Sequence, residues 1–295
     1  MLESFQVAFN AVMPLLILLG IGWAAVRSGV TDRAFMNRLN TLNFKLFFPF
    51  LMFKNVYGAE PENLPSMALI IMGVVSLLAV VALLFILVPR IVPENPRRGT
   101  IIQAIFRSNF IIYGIPLTTF VFGEGKASVC GIMVMIMVSM FNILSVIVLE
   151  YFREGGKVRP GPLLLGIKLP VFLKEPVFAL GSMASTLALV VLGANLQFAE
   201  LKKNGRTVTA VLLIRLLLLP LVMVPLGWMI GLRGVELFLI LMIYGTPVST
   251  ASYPMAQNMG GDGQLAGQLV FVSTVASLGT IFLFIFTMSR LGLLI

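Results

Sequence analysis

Apolar runs of membrane length follow one another along almost the whole chain, joined by short polar segments. A helical span needs about 20 mainly apolar residues, and only a helix or a closed barrel satisfies its own backbone where water is absent. With 59% apolar and 11% charged residues and a mean hydropathy of +1.02, no sizeable soluble domain fits between these runs. The sequence therefore predicts one all-α polytopic membrane domain over residues 1–295, multi-pass in the cell membrane, with the bilayer as its main partner.

The runs place spans at about 5–25, 39–56, 65–87, 100–122, 127–151, 178–196, 208–230, 235–259 and 264–291. The joints carrying Arg27, Arg33 and Arg38, then Arg90 to Arg98, then Arg153, Lys157 and Arg159, then Lys202, Lys203 and Arg206, are basic and belong on the cytoplasmic side. This rule accounts for the net charge of +9, and nucleic acid is not expected as a partner. Met1-Leu2-Glu3 lacks the basic start of a cleavable signal peptide. Lys45 either snorkels or lines a cavity, and the spacing of Arg215 from Arg206 favours snorkelling for that arginine.

Two runs are interrupted, and the interruptions recur at a spacing of 138. Tyr113-Gly114-Ile115-Pro116 falls on Ala251-Ser252-Tyr253-Pro254, and Gly123-Glu124-Gly125-Lys126 on Gly261-Asp262-Gly263-Gln264. Gly114 and Pro116, and in the second run Pro247 and Pro254, free backbone groups from the helix ladder. Matched interrupted spans in two halves point to the binding site of a secondary transporter. The halves run over 1–152 and 162–295. The second lacks a partner for the first span, because the proline-rich 160–170 is too short to cross. Three accounts of that shortened sixth span are open: residues missing from the sequence, a deletion, or a re-entrant piece over Leu163 to Leu173.

Polar side chains gather at the two interruptions: Arg107, Ser108, Asn109, Tyr113, Thr118 and Thr119 at the first, Thr246, Ser249, Thr250, Ser252, Tyr253 and Gln257 at the second. The amide end of a half-helix favours an anion, so the expected substrate is a small organic anion. Ser139, Ser145, Ser273 and Ser277 read instead as helix-packing residues. Glu124 and Asp262 read as helix-start caps. There is no histidine and one cysteine, and the twelve acidic residues lie in loops or at span ends. No metal, cofactor or catalytic constellation is expected, and the protein does not read as an enzyme.

The stretch Ser108-Asn109 to Gly114-Ile115-Pro116-Leu117 resembles the asparagine-glycine-proline motif of the auxin efflux carrier family, which includes the plant PIN carriers. Thr186-Leu187-Ala188-Leu189, Gly193-Ala194, Thr246-Pro247, Gly261-Asp262 and Leu265-Ala266 resemble that family's second half. The resemblance implies ten spans in two inverted five-span repeats, two crossing helices, a scaffold of spans one, two, six and seven that often dimerises, and a moving remainder. It implies carboxylates such as malate, malonate or auxin-like acids as substrates, with Asn109, Pro116 and Pro247 in binding roles. Arg107 has no counterpart in the plant motif and suits a more strongly anionic substrate. A sodium-coupled organic anion symporter of the bile-acid type is the competing expectation.

Overall fold

The computed structural model describes residues 2–57, 64–123, 126–153, 171–195 and 204–294. Over these the chain is helical: α1 (Leu2–Arg27), α2 (Arg33–Leu42), a π-turn (Asn43–Phe47), α3 (Phe48–Tyr57), α4 (Met67–Ile91), α5 (Asn95–Phe106), α6 (Phe110–Phe122) and α7 (Ala127–Tyr151). Then come α8 (Val171–Asn195), α9 (Gly205–Leu213), a second π-turn (Ile214–Leu218), α10 (Leu219–Met229), α11 (Gly234–Gly245), α12 (Ser252–Asn258) and α13 (Gly263–Arg290). Among the described residues, five stretches are apolar and long enough to cross a bilayer unbroken: Met67–Ile91, Val129–Tyr151, Glu175–Asn195, Gly205–Met229 and Gly263–Arg290. The chain is an all-α polytopic membrane protein, and α4 shows its two-sided solvent. Leu69, Leu77, Val80 and Leu84 are buried against other helices, while Ile71, Val75, Leu83 and Ile86 face outward.

Proline explains both π-turns. Pro49 and Pro220 each stand two residues past one. A proline offers no amide to the carbonyl four residues back and its ring crowds it, so the turn widens. The amides of Phe48 and Leu219 reach back five residues instead, to Asn43 and Ile214. The second widened turn holds Arg215.

The basic joints meet at one end of the bundle. The Arg97 guanidinium donates to Asn204 Oδ1 and Thr207 Oγ1, the Asp262 amide donates to the Pro96 carbonyl, and Gln257 Nε2 donates to Asn37. Arg153 packs against Gly260 at the same end. Asp262 caps α13 by accepting the Leu265 amide at 2.9 Å. At the other end the Ser66 amide donates to Glu236. Asn195 shares a polar recess with Asn37 and Gln257, so α8 finishes at the basic end. A 25-residue helix is about 37 Å long, which puts Val171 a membrane's thickness away from there. The shortened sixth span expected at 160–170, and the expected cap Glu124, lie outside the described residues.

Where α1 crosses α8 the two backbones touch. A Cβ at Gly22 would fall on the Val190 carbonyl, and one at Gly193 on the Leu19 carbonyl. Backbone cannot step aside as a side-chain tip can, so Gly193→Leu is expected to cost more than about 3 kcal/mol, the upper end of ordinary overpacking. Its melting midpoint in detergent should fall by several degrees. Gly20→Ala, at a position with no atom within 4 Å of the added methyl, should leave that midpoint in place.

Candidate functional site

The first interruption is not at Gly114 and Pro116, as local propensity suggests, but at Arg107–Asn109, between α5 and α6. Gly114 and Pro116 lie inside α6. Gly114 packs against the Phe110 ring and the Cys130 sulfur. Pro116 is exposed, and one lost amide bond does not end a helix that neighbours support. The second interruption spans 246–251, between α11 and α12. Pro254 is the third residue of α12, in the first turn, where its missing amide has no partner to lose.

The two interruptions satisfy each other. Ser108 and Val248 form an antiparallel bridge, flanked by the Asn109 amide donating to the Pro247 carbonyl at 2.9 Å and the Ser249 amide donating to the Arg107 carbonyl at 3.2 Å. The Val248 amide donates to Ser273 Oγ at 3.1 Å, so Ser273 serves the crossing rather than helix packing alone. Backbone freed from two helices thus finds partners without water, which makes the crossing possible in a bilayer.

Beside this bridge lies a small, partly open cavity. Arg107, Ser108, Asn109, Asn142, Ser249 and Thr250 form its polar wall; Phe48, Leu51, Ile111, Ile112, Val138 and Phe141 supply the apolar one. Arg107 is only 3% exposed, and its donors meet neutral acceptors: Ser145 Oγ at 2.9 Å, Asn142 Oδ1 at 2.7 Å, the Phe141 carbonyl at 3.4 Å and Met255 Sδ at 3.1 Å. The ion pairs among the described residues, Arg97–Asp262 and Glu150–Arg153, lie at the basic end. A buried arginine keeps its charge, so among the described residues the cavity wall carries a cation with no anion beside it. Ser108 Oγ and Asn109 Nδ2, both buried there, have no hydrogen-bond partner among the described residues.

Arg215 does not snorkel. It is fully buried, and its guanidinium donates to the carbonyls of Thr246, Ile105 and Ile243 at 3.1, 3.0 and 2.9 Å. These carbonyls belong to the C-terminal ends of α5 and α11, where a helix has acceptors without intrahelical donors. Lys45 is exposed on the protein's outer face rather than lining the cavity.

Of the residues expected at the site, Arg107, Ser108, Asn109, Ser249 and Thr250 meet at the cavity. Thr246 and Pro247 give main-chain carbonyls to the crossing. Tyr113, Gly114 and Pro254 are buried, and with Pro116 they lie away from the cavity wall. Ser145, whose position reads as a helix-packing serine, accepts from the Arg107 guanidinium instead. Ser139 and Ser277 return their hydroxyls to carbonyls of their own helices. The residue missed is Asn142. A carboxamide in the middle of the apolar run 127–151 was the available signal.

A polytopic helical protein with two interrupted spans crossing at a polar, bilayer-embedded cavity is of the membrane transporter class. The family model for membrane transport protein matches residues 7–163 and 161–285, together nearly the whole chain. The chain belongs to that family, the auxin efflux carriers, and it is a multi-pass integral membrane protein. No curated protein matches it.

Proposed function

We propose that the protein is a secondary transporter of small organic anions, with carboxylates such as malate, malonate or auxin-like acids as candidates, working by alternating access at the crossing. The observation that carries this is Arg107, a buried cation on the cavity wall whose partners among the described residues are all neutral. An embedded arginine costs roughly 2.5–3.5 kcal/mol on insertion scales, and a bound carboxylate offsets that cost by supplying the missing charge. Asn109 Nδ2 adds a donor unused among the described residues. The first-turn amides of α6, at Ile111 and Ile112 on the cavity edge, add the positive end of a 13-residue helix.

Two inverted repeats, over 1–152 and 162–295, complete the proposal. Shifted by 138 residues, 33–57 falls on 171–195 and 67–91 on 205–229, which are the ends of α2–α3 against α8 and of α4 against α9–α10. The antiparallel pairing of the two interruptions is what inversion requires of a crossing.

The test is uptake of labelled malate, malonate and indole-3-acetate into proteoliposomes. Saturable uptake of one anion is expected. Asn109→Ala should raise its half-saturation by on the order of tenfold, the worth of one hydrogen bond to a charged group. Uptake of none of the three, or uptake indifferent to Asn109→Ala, would count against the crossing as the site.

A further inference from the structure

The crossing holds two buried guanidinium groups, and among the described residues neither Arg107 nor Arg215 has a carboxylate partner. Their settings differ. Arg107 borders the cavity, whereas Arg215 reaches in from the π-turn between α9 and α10 and ends on main-chain carbonyls. Ile105 is in the last turn of α5, Ile243 is in the last turn of α11, and Thr246 follows that helix directly. The carbonyl end of a helix carries roughly half a negative charge, so two such ends together offset about one guanidinium.

Those ends lie close to the cavity. Ile105 is two residues before Arg107, and Thr246 three before Ser249. Uncompensated, they would repel an anion arriving at the same wall. We propose that Arg215 sets the preference of this crossing for anions: its charge cancels the two helix ends and leaves the field of Arg107 unopposed. Arg215 touches no substrate and acts through the field at the cavity. The inference rests on the organic-anion reading above.

The test compares Arg215→Lys, which keeps the charge and gives up part of the three-carbonyl fork, with Arg215→Gln, which keeps a donor and loses the charge. The probe is whichever of labelled malate, malonate or indole-3-acetate the unaltered protein accumulates, with the uncharged amide of the same acid as competitor. Half-saturation for the anion should stay within about threefold in the lysine variant, since an ammonium still faces the carbonyls. In the glutamine variant it should rise by on the order of tenfold, the effect of one charge several ångströms away in a protein interior. Competition by the amide should be the same in all three proteins.

Equal losses in both variants, or anion and amide shifted by one common factor, would make Arg215 a fastening only and overturn the proposal. So would an unshifted half-saturation in a folded glutamine variant. If that variant does not fold, the lysine variant decides: retained half-saturation supports the charge role, and a tenfold rise sinks it. Absence of uptake by the unaltered protein overturns the organic-anion reading and this one with it, whereas uptake with the wrong variant pattern overturns this one alone.

Discussion

Replacing Arg107 with methionine is expected to abolish anion uptake, with kcat/KM falling by about 100-fold or more, while the folded protein survives. A charged pair formed in a desolvated pocket is worth about 3–5 kcal/mol when one partner is removed, hence at least two orders of magnitude. Stability should move little because two effects oppose each other. A buried cation among neutral acceptors disappears, which stabilises, and the acceptors on Ser145, Asn142 and Phe141 lose their donor, which destabilises. Arg107→Lys should fall between, since an ammonium cannot hold Asn142 and Ser145 and still present a fork to a carboxylate. Uptake and melting midpoint measured on the same preparations check this. A methionine variant that still transports within a few-fold of the unaltered protein would remove Arg107 from the site.

Ser249→Pro is expected to cost about as much transport for a different reason. The Ser249 amide donates to the Arg107 carbonyl, one of the two main-chain bonds flanking the Ser108–Val248 bridge. Proline has no such hydrogen, and a buried carbonyl left without a donor costs about 1–3 kcal/mol. The loss falls on the joint that holds Arg107 against the cavity, so binding geometry suffers along with stability. Ser249→Ala keeps the amide and removes only the hydroxyl on the cavity wall. It should melt with the unaltered protein and lose no more than a few-fold in uptake. Equal behaviour of the two variants would mean that the bridge does not hold the crossing together.

Most of the helical frame was legible from hydropathy, because a bilayer demands long apolar runs and permits few other solutions. The cap at Asp262 was equally local: an aspartate before a helix start accepts a first-turn amide wherever the fold places it. The gathering of Arg107, Ser108 and Asn109 with Ser249 and Thr250 was readable because polar side chains stand out in apolar runs. The position of the first interruption was not. Gly114 and Pro116 are the strongest local breakers in their run, yet α6 continues through them, and the chain opens at Arg107–Asn109, where Ser108 and Asn109 are weaker breakers than glycine or proline. It opens there because Pro247 and Ser249, far along the chain, supply the hydrogen bonds the helix gives up.

Arg215 shows the same division. Its distance from Arg206 measures only how far a side chain must reach to find water, and it says nothing about carbonyls brought to it from α5 and α11. By itself the sequence determined that this chain lives in a membrane, roughly where it crosses, which end is basic, and that polar groups collect at two interruptions. Those properties follow from transfer free energies and charge, which residues carry individually. Only the tertiary structure decided where the helices open, which arginine is fastened to main-chain carbonyls and which faces a cavity lined by neutral groups. In an apolar solvent every freed backbone group and buried charge must find its partner inside the protein, and that partner lies on another span.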